Sequence, residues 1–421
     1  MEEHHHLLPC INKKDMTTIA ESLDKHATFA STTVNRVRSI DLLRGIIMIV
    51  MAIDHVRVYS GMPAGGPTAG IFFTRWITHY CAPGFAFFAG TSAFLYFIKT
   101  KNSGAVRKFL VTRGILLVIL ELTVIRFFWM FNFDYANFSF AGVIWMLGWC
   151  MVILAACVNL RPITMAIIGG LMILVQQIFS FVPSVFPESW RTSVAYIWQV
   201  FYPVALSGDQ SKVLSGTSGL PNFLGLNIFY VLIPWIGVMM VGFAFGQILL
   251  MEPTKRNKLC WQIGISAIAV FLMVGTVLTL RSPSEVAFVF ALLGQQKYPP
   301  SQLFLLMTLG PLIALIPWAE KARGKLVEAI AMIGRVPMFF YLMHLLIIHL
   351  SAFIVNLILF GSIHQDWYVT APFVFVPEEQ RWGLPLLYLV WIIDVIILYY
   401  ICDAYARYKI AHPENPWLKY I

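Results

Sequence analysis

The chain has 421 residues, of which 59% are hydrophobic and only 12% charged, with a formal net charge of +9. A water-soluble domain carries roughly a quarter charged residues, so this composition excludes a soluble globular protein. Apolar runs close to the ~20 residues that cross a bilayer recur along the chain, and the mean hydropathy is +0.74; the fold class expected is an all-α, polytopic transmembrane bundle.

Residues 1–37 are polar and mixed in charge and are expected to form a mostly mobile cytoplasmic tail. The run His4-His5-His6 is too short to make a metal site, and no short apolar core with a cleavage site precedes the first span. About ten spans follow, near 40–59, 77–98, 109–131, 140–158, 163–183, 227–250, 260–280, 302–318, 332–359 and 384–404, making 38–404 the transmembrane domain and 405–421 a short cytoplasmic tail. The connections 99–108, 159–162, 251–259 and 319–326 hold eleven basic residues, whereas the longer alternate connections hold few. Positive residues favour the cytoplasm, which places both termini inside. Residues 192–206 and 285–294 are apolar but short, and read as interfacial or re-entrant helices. The long outer loops 184–226 and 360–383, rich in Pro, Gly and aromatics, are expected to cover a site on the outer face. Six cysteines, at 10, 81, 150, 157, 260 and 402, have no paired spacing and predict neither a disulfide framework nor a zinc site. Trp235, Trp318 and Tyr399 are read as interfacial belt anchors.

The first span is the unusual one. RSIDLLRGIIMIVMAIDHVR, residues 38–57, is apolar in its middle yet carries Asp41, Arg44, Asp54, His55 and Arg57. Charge inside a bilayer is costly, so such residues are functional candidates by default. Arg44 and His55 are eleven residues apart, which puts them on one helix face roughly 16 Å apart along the axis. Asp41 sits one turn before Arg44, within pairing distance on a helix. Elsewhere His79 lies near the outer end of the second span, Arg113 and Arg335 lie at inner span ends, and His344 and His349 follow in the ninth span. Glu121, Arg126 and Asp394 read as intramembrane structural partners, and Gly90-Thr91-Ser92 as a close helix contact. Basic residues inside and histidines toward the outer half suit a phosphate-bearing donor that enters from the cytoplasm. Arginines clamp phosphates, and a neutral histidine takes a proton from an attacking hydroxyl or amine. Acetyl-CoA fits that description.

The same stretch, with ITHYCAPGFAFFAGTSAFLY, FLVTRGILLVILELTVIRFF and GRVPMFFYLMHLLIIHL, resembles the heparan-α-glucosaminide N-acetyltransferase catalytic-domain family, in its bacterial branch, from about residue 36 to the C-terminus. The matching features are Ser39-Ile40-Asp41, Arg44-Gly45 and Pro83 with Gly90-Thr91-Ser92. Arg44 and His55 also resemble the arginine–histidine spacing of the broader transmembrane acyltransferases. The resemblance implies a catalytic histidine, an arginine on the acyl-donor side, and transfer from a cytoplasmic CoA thioester to a sugar across the membrane. The lysosomal branch carries its histidine in the loop after the first span, whereas loop 60–74 here has none. That role then falls to His55 or His79, or the chemistry differs.

The expectation is a multi-pass enzyme of the plasma (bacterial inner) membrane that moves an acetyl or similar acyl group from acyl-CoA to a sugar or glycan acceptor on the outer face. His55, Asp54, His79 and His344 are the catalytic candidates; Arg44, Asp41, Arg113 and Arg335 are the donor-binding candidates; no metal and no nucleic-acid partner is expected, and a homodimer is left open. An ion-coupled small-molecule transporter is the alternative, because intramembrane charges also mark transport pathways.

Overall fold

The computed structural model describes residues 37–65, 68–136, 138–204, 222–282 and 285–420. The expected tail, apart from Val37, lies outside the described residues, as do 205–221 of the long outer loop.

Each long apolar run forms a helix. In chain order these are α1 (Arg38–Tyr59), α2 (Ala69–Trp76), α3 (Cys81–Thr100), α4 (Ser103–Leu120), α5 (Arg126–Met130), α6 (Val143–Cys157), α7 (Pro162–Leu174), α8 (Glu188–Trp198), α9 (Leu232–Leu249), α10 (Pro253–Arg281), α11 (Phe288–Leu293), α12 (Gln302–Ala314), α13 (Ile316–Lys321), α14 (Lys325–Ile333), α15 (Pro337–Phe360) and α16 (Leu384–Ala411). Among the described residues, six helical stretches are long and apolar enough to cross a membrane: Ala69–Thr100, Leu232–Leu249, Pro253–Arg281, Gln302–Lys321, Pro337–Phe360 and Leu384–Ala411. The expected span at 163–183 is not straight: α7 and the following Gln176–Val185 segment meet at 75°. The bend is held by amides, with Gln176 Nε2 donating to the Pro300 carbonyl at 2.9 Å and Gln302 Nε2 to that of Leu174 at 3.1 Å. α1 carries too many charges, and α6 is too short, to join the six. The apolar segments 192–206 and 285–294 give only the eleven-residue α8 and the six-residue α11.

Close backbone contacts set the packing. A Cβ on Gly90 of α3 would lie 1.9 Å from the Met239 carbonyl of α9, and one on Gly242 of α9 would lie 2.1 Å from that of Phe87. Thr91 adds a hydrogen bond across the same contact, Oγ1 donating to the Gly242 carbonyl at 2.9 Å. Small residues at such crossings let helices associate where lipid supplies no hydrophobic drive. α1 is sheathed by α14, α15 and α16, and Trp391 Nε1 donates to its Ile49 carbonyl at 2.9 Å. The faces of α10 and α16 turned away from this packing expose Leu272, Leu280, Ile392 and Ile396, as a surface solvated by lipid requires.

Two expectations need correction. The fold is mostly helical but not all-α: β1 (Ser139–Ala141), β2 (Asn222–Phe223) and β3 (Leu226–Ile228) form a small sheet in the order β1-β3-β2, with β1 parallel and β2 antiparallel to β3. Strands this short leave no periodic signal. Trp235, read as a belt anchor, is 0% exposed, because it fills the interior beside Tyr230 at a ring separation of 5.5 Å; Trp318, 52% exposed, does face outward.

The Gly90 contact predicts that Gly90→Val separates α3 from α9. Overpacking of this kind costs about 1–3 kcal/mol, expected as a lower melting temperature and reduced monodisperse yield of the detergent-purified protein.

Candidate active site

α1 and α15 run side by side and bring their histidines together. His55 Nδ1 lies 2.6 Å from His344 Nε2, with ring centroids 4.7 Å apart. The other nitrogen of His344, Nδ1, is 3.2 Å from the Phe340 carbonyl one turn earlier. A carbonyl only accepts, so His344 Nδ1 carries the hydrogen and, in the neutral ring, Nε2 is an acceptor. His55 Nδ1–H then donates to it. That leaves His55 Nε2 bare of hydrogen and, among the described residues, without a hydrogen-bond partner, which is the form a general base requires. Trp129 holds the His55 ring from the side, edge-on at 4.8 Å. One turn further along α1, Tyr59 donates to the Trp129 carbonyl at 2.7 Å and meets His349 Nδ1 at 3.2 Å, while that nitrogen lies 2.9 Å from the Phe128 carbonyl. His349 thus belongs to a buried tie between α15, α1 and the end of α5, away from the His55 pair.

His55 lines a cavity of about 710 Å³ together with Asp54, Arg57, Arg75, Trp129, Tyr230, Lys297, Tyr298, Tyr341 and Arg381. Its walls come from the C-terminal end of α1 and from connections that the charge pattern assigns to the outer side, including 61–64, 140–143, 229–230, 297–298 and 372–375. Asp54 shares this cavity but is engaged by Arg57, whose Nε donates to Oδ1 at 2.8 Å. The orienting partner of His55 is therefore His344, not Asp54. His79 lines a separate cavity of about 310 Å³ with Arg75, Trp76, Gln295, Lys297 and Tyr298, and packs edge-on against Phe304 at 5.4 Å. Arg75, Lys297 and Tyr298 are common to both cavities.

The donor-side candidates lie elsewhere, and none of Asp41, Arg44, Arg113 and Arg335 lines the larger cavity. Arg44 turns to α3, with Nη2 donating to the Phe88 carbonyl at 2.9 Å and to the Ser92 hydroxyl, and Nη1 3.8 Å from Asp41. Its fork is largely committed to tying α1 to α3. Arg113 on α4 stands 5.9 Å from the Phe109 ring centroid, and its buried Nε has no hydrogen-bond partner among the described residues. That orphaned donor is of the kind a phosphate oxygen satisfies. Arg335, in the turn before α15, is exposed, and so fits an anion approaching from that end.

The other charges that the sequence places in spans bond to neighbouring backbone and side chains. Arg126 donates to the backbone carbonyls of Asp134 at 2.6 Å and Phe138 at 3.1 Å. Glu121 opens a π-helical turn, Glu121–Ile125, which directs its carboxylate to the N-terminus of α6, where Oε2 accepts from the amides of Ile144 at 3.1 Å and Trp145 at 3.2 Å. That cap fixes the Gly142-Val143 wall of the cavity. Asp394 accepts from the Ser351 hydroxyl at 2.6 Å, joining α16 to α15. Lys297, Arg75, Arg381, Tyr341 and Trp129 were missed as site residues. Arg75, Lys297 and Arg381 lie in the alternate connections that hold few basic residues, and their presence there is the signal that marks them.

A family model described as heparan-alpha-glucosaminide N-acetyltransferase, catalytic, matches residues 36–281, more than half of the chain. Asp54, His55 and His79 lie within the match, while Lys297 and His344 lie beyond it. No curated protein matches the chain.

Loss of the Glu121 carboxylate should loosen the cavity wall. Glu121→Ala is expected to cost about 1–2 kcal/mol, the scale of a lost helix cap, seen as a lower melting temperature; Glu121→Gln, whose amide oxygen still accepts, is expected to recover most of it.

Proposed function

Because the chain belongs to the heparan-alpha-glucosaminide N-acetyltransferase catalytic family, we propose that it transfers an acetyl group from acyl-CoA to an amine or hydroxyl of a sugar acceptor on the outer face of the membrane. Family membership implies an acetyltransferase, and the apolar helices imply a membrane protein. The donor, the acceptor, the sidedness, the ten-span count and the plasma membrane as the location are our reading. The observation that carries it is the His55–His344 hydrogen bond at 2.6 Å, which leaves His55 Nε2 as an unprotonated nitrogen in a large cavity.

In this reading the acceptor occupies the cavity and gives its proton to His55 Nε2 as it attacks the acetyl carbonyl. His344 acts as a positioning residue by accepting the Nδ1 hydrogen of His55 and so selecting the reactive tautomer. Asp54, held by Arg57, offsets charge on the imidazolium that forms. CoA supplies the activated thioester; Arg113 and Arg335 take its phosphates at the basic-loop end. Arg44 fixes α3 against α1 along the route between them, a change from direct phosphate clamping that its bonds to Phe88 and Ser92 favour.

Reconstituted protein supplied with labelled acetyl-CoA and glucosamine tests this. His55→Ala is expected to lower kcat by about 10²–10⁴-fold, the usual scale of general-base loss, with donor binding retained; undiminished turnover would remove His55 from the mechanism. Substitution of His344 should give a graded result, with Gln, which still accepts a hydrogen bond, more active than Leu. Vesicle uptake of a solute without any acetyl transfer would favour the transporter reading. Topology is tested separately: Ser362→Cys should react with an impermeant thiol reagent in intact cells, and Lys101→Cys only after permeabilisation. Labelling of both from one side would reject the alternation proposed.

A further inference from the structure

Four cations line the larger cavity: Arg57, Arg75, Lys297 and Arg381. Three are already bound to oxygen. Arg57 donates to Asp54 and, through Nη1, to the Met62 carbonyl, both at 2.8 Å. Arg75 Nη1 donates to the Ala64 carbonyl at 2.6 Å. Arg381 pairs with Glu378 at 3.6 Å. Lys297 differs. Among the described residues its ammonium has no oxygen partner; it lies 5.2 Å from the ring centroid of Tyr298 and 6.0 Å from that of Tyr230. Cation–π contacts hold an ammonium by about 0.5–2 kcal/mol and leave its N–H donors unspent.

The surroundings make that charge effective. Met51, Phe85, Phe140, Phe229 and Phe373 contribute apolar wall to the same cavity, and a charge acts more strongly where water is excluded. Attack on a thioester places negative charge on the former carbonyl oxygen, and stabilising that oxygen is commonly the largest catalytic contribution. A base alone does not supply it. Of the four cations lining the cavity with His55, Lys297 is the one whose charged group engages no oxygen among the described residues.

We propose that Lys297 is a catalytic residue that binds the oxyanion of the tetrahedral intermediate. The assignment rests on the transferase reading above. The acceptor N–H or O–H proton passes to His55 Nε2, the acceptor lone pair forms the new bond to the acetyl carbon, and the carbonyl π pair moves to oxygen, where the Lys297 ammonium meets it. Collapse re-forms the carbonyl and breaks the C–S bond; the departing thiolate takes the proton from His55, giving CoA and the acetylated product.

The test uses full-length protein in lipid nanodiscs, labelled acetyl-CoA, and two acceptors, methyl glucosaminide and its 6-sulfate. Lys297→Met is expected to lower kcat by about 10²–10³-fold, the scale of losing an oxyanion donor, on both acceptors alike, with KM for each nearly unchanged; Lys297→Arg is expected to restore part of the loss. If Lys297→Met does not fold, Lys297→Gln carries the same expectation. Unchanged kcat overturns the proposal. A defect seen in KM and confined to the sulfated acceptor also overturns it, and assigns Lys297 to recognising an acid group in the ground state. Wild-type protein that binds acetyl-CoA yet acetylates neither acceptor rejects the transferase reading itself, and this assignment with it.

Discussion

A proton between two imidazoles is the constraint on which the site depends. In the interior of a helical bundle an unsatisfied polar nitrogen is expensive, so His55 and His344 must divide their hydrogens in a way their neighbours permit. The Phe340 carbonyl accepts and cannot donate; it sets His344, and His344 sets His55. The consequence is an imidazole whose bare nitrogen is chosen by backbone geometry two contacts away. A carboxylate in the place of His344 would orient His55 equally well, but would bury a negative charge at helix depth. A second neutral imidazole does the orienting without that desolvation cost.

Such a pair needs two helices held in one register, and the rest of the bundle supplies it. α1 is enclosed by α14, α15 and α16, and a Cβ on Gly334 would lie 1.8 Å from the Asp41 carbonyl, so the approach of α15 begins from a fixed point at the base of α1. Arg44 bonds α1 to α3 from the other side. Glu121 performs a similar service for the cavity wall by satisfying the buried first-turn amides of α6 with a carboxylate, which favours the positive end of that helix dipole. Several charges that a hydropathy scan flags as costly thus act as joints between helices.

The sequence exposed some of this plainly. Long apolar runs place the helices, because burial in lipid leaves the backbone no alternative to intrahelical hydrogen bonding. His55 stood out because an imidazole inside such a run demands an explanation. His344 was visible as a residue but not as a partner: 289 positions separate the two, and only tertiary packing of α1 on α15 relates them. Lys297 was hidden for the opposite reason, since a lysine in a polar connection is ordinary until the chain folds it over two tyrosine rings at the edge of a cavity. Arg44 is a third case. Sharing a helical face with His55 suggested a common ligand, yet a guanidinium reaches sideways, and this one finds a carbonyl and a hydroxyl on the neighbouring helix.

Charge balance around the cavity joins these observations. Asp54 is the one carboxylate among its lining residues, facing four cations, and Arg57 neutralises it at close range. Arg381 has Glu378 beside it, so a neutral ligand would leave Arg75 and Lys297 without a carboxylate partner among the described residues. A reaction that creates a proton on His55 and an oxyanion beside Lys297 changes that balance in the favourable direction, because the new negative charge arises where cations already stand and the new positive charge arises next to Asp54. The ground state is therefore the less complementary of the two states, and differential binding of this kind is what lowers a barrier. In the proposed reaction, the cations of the resting cavity are matched to a charge that exists only while the bond is being made.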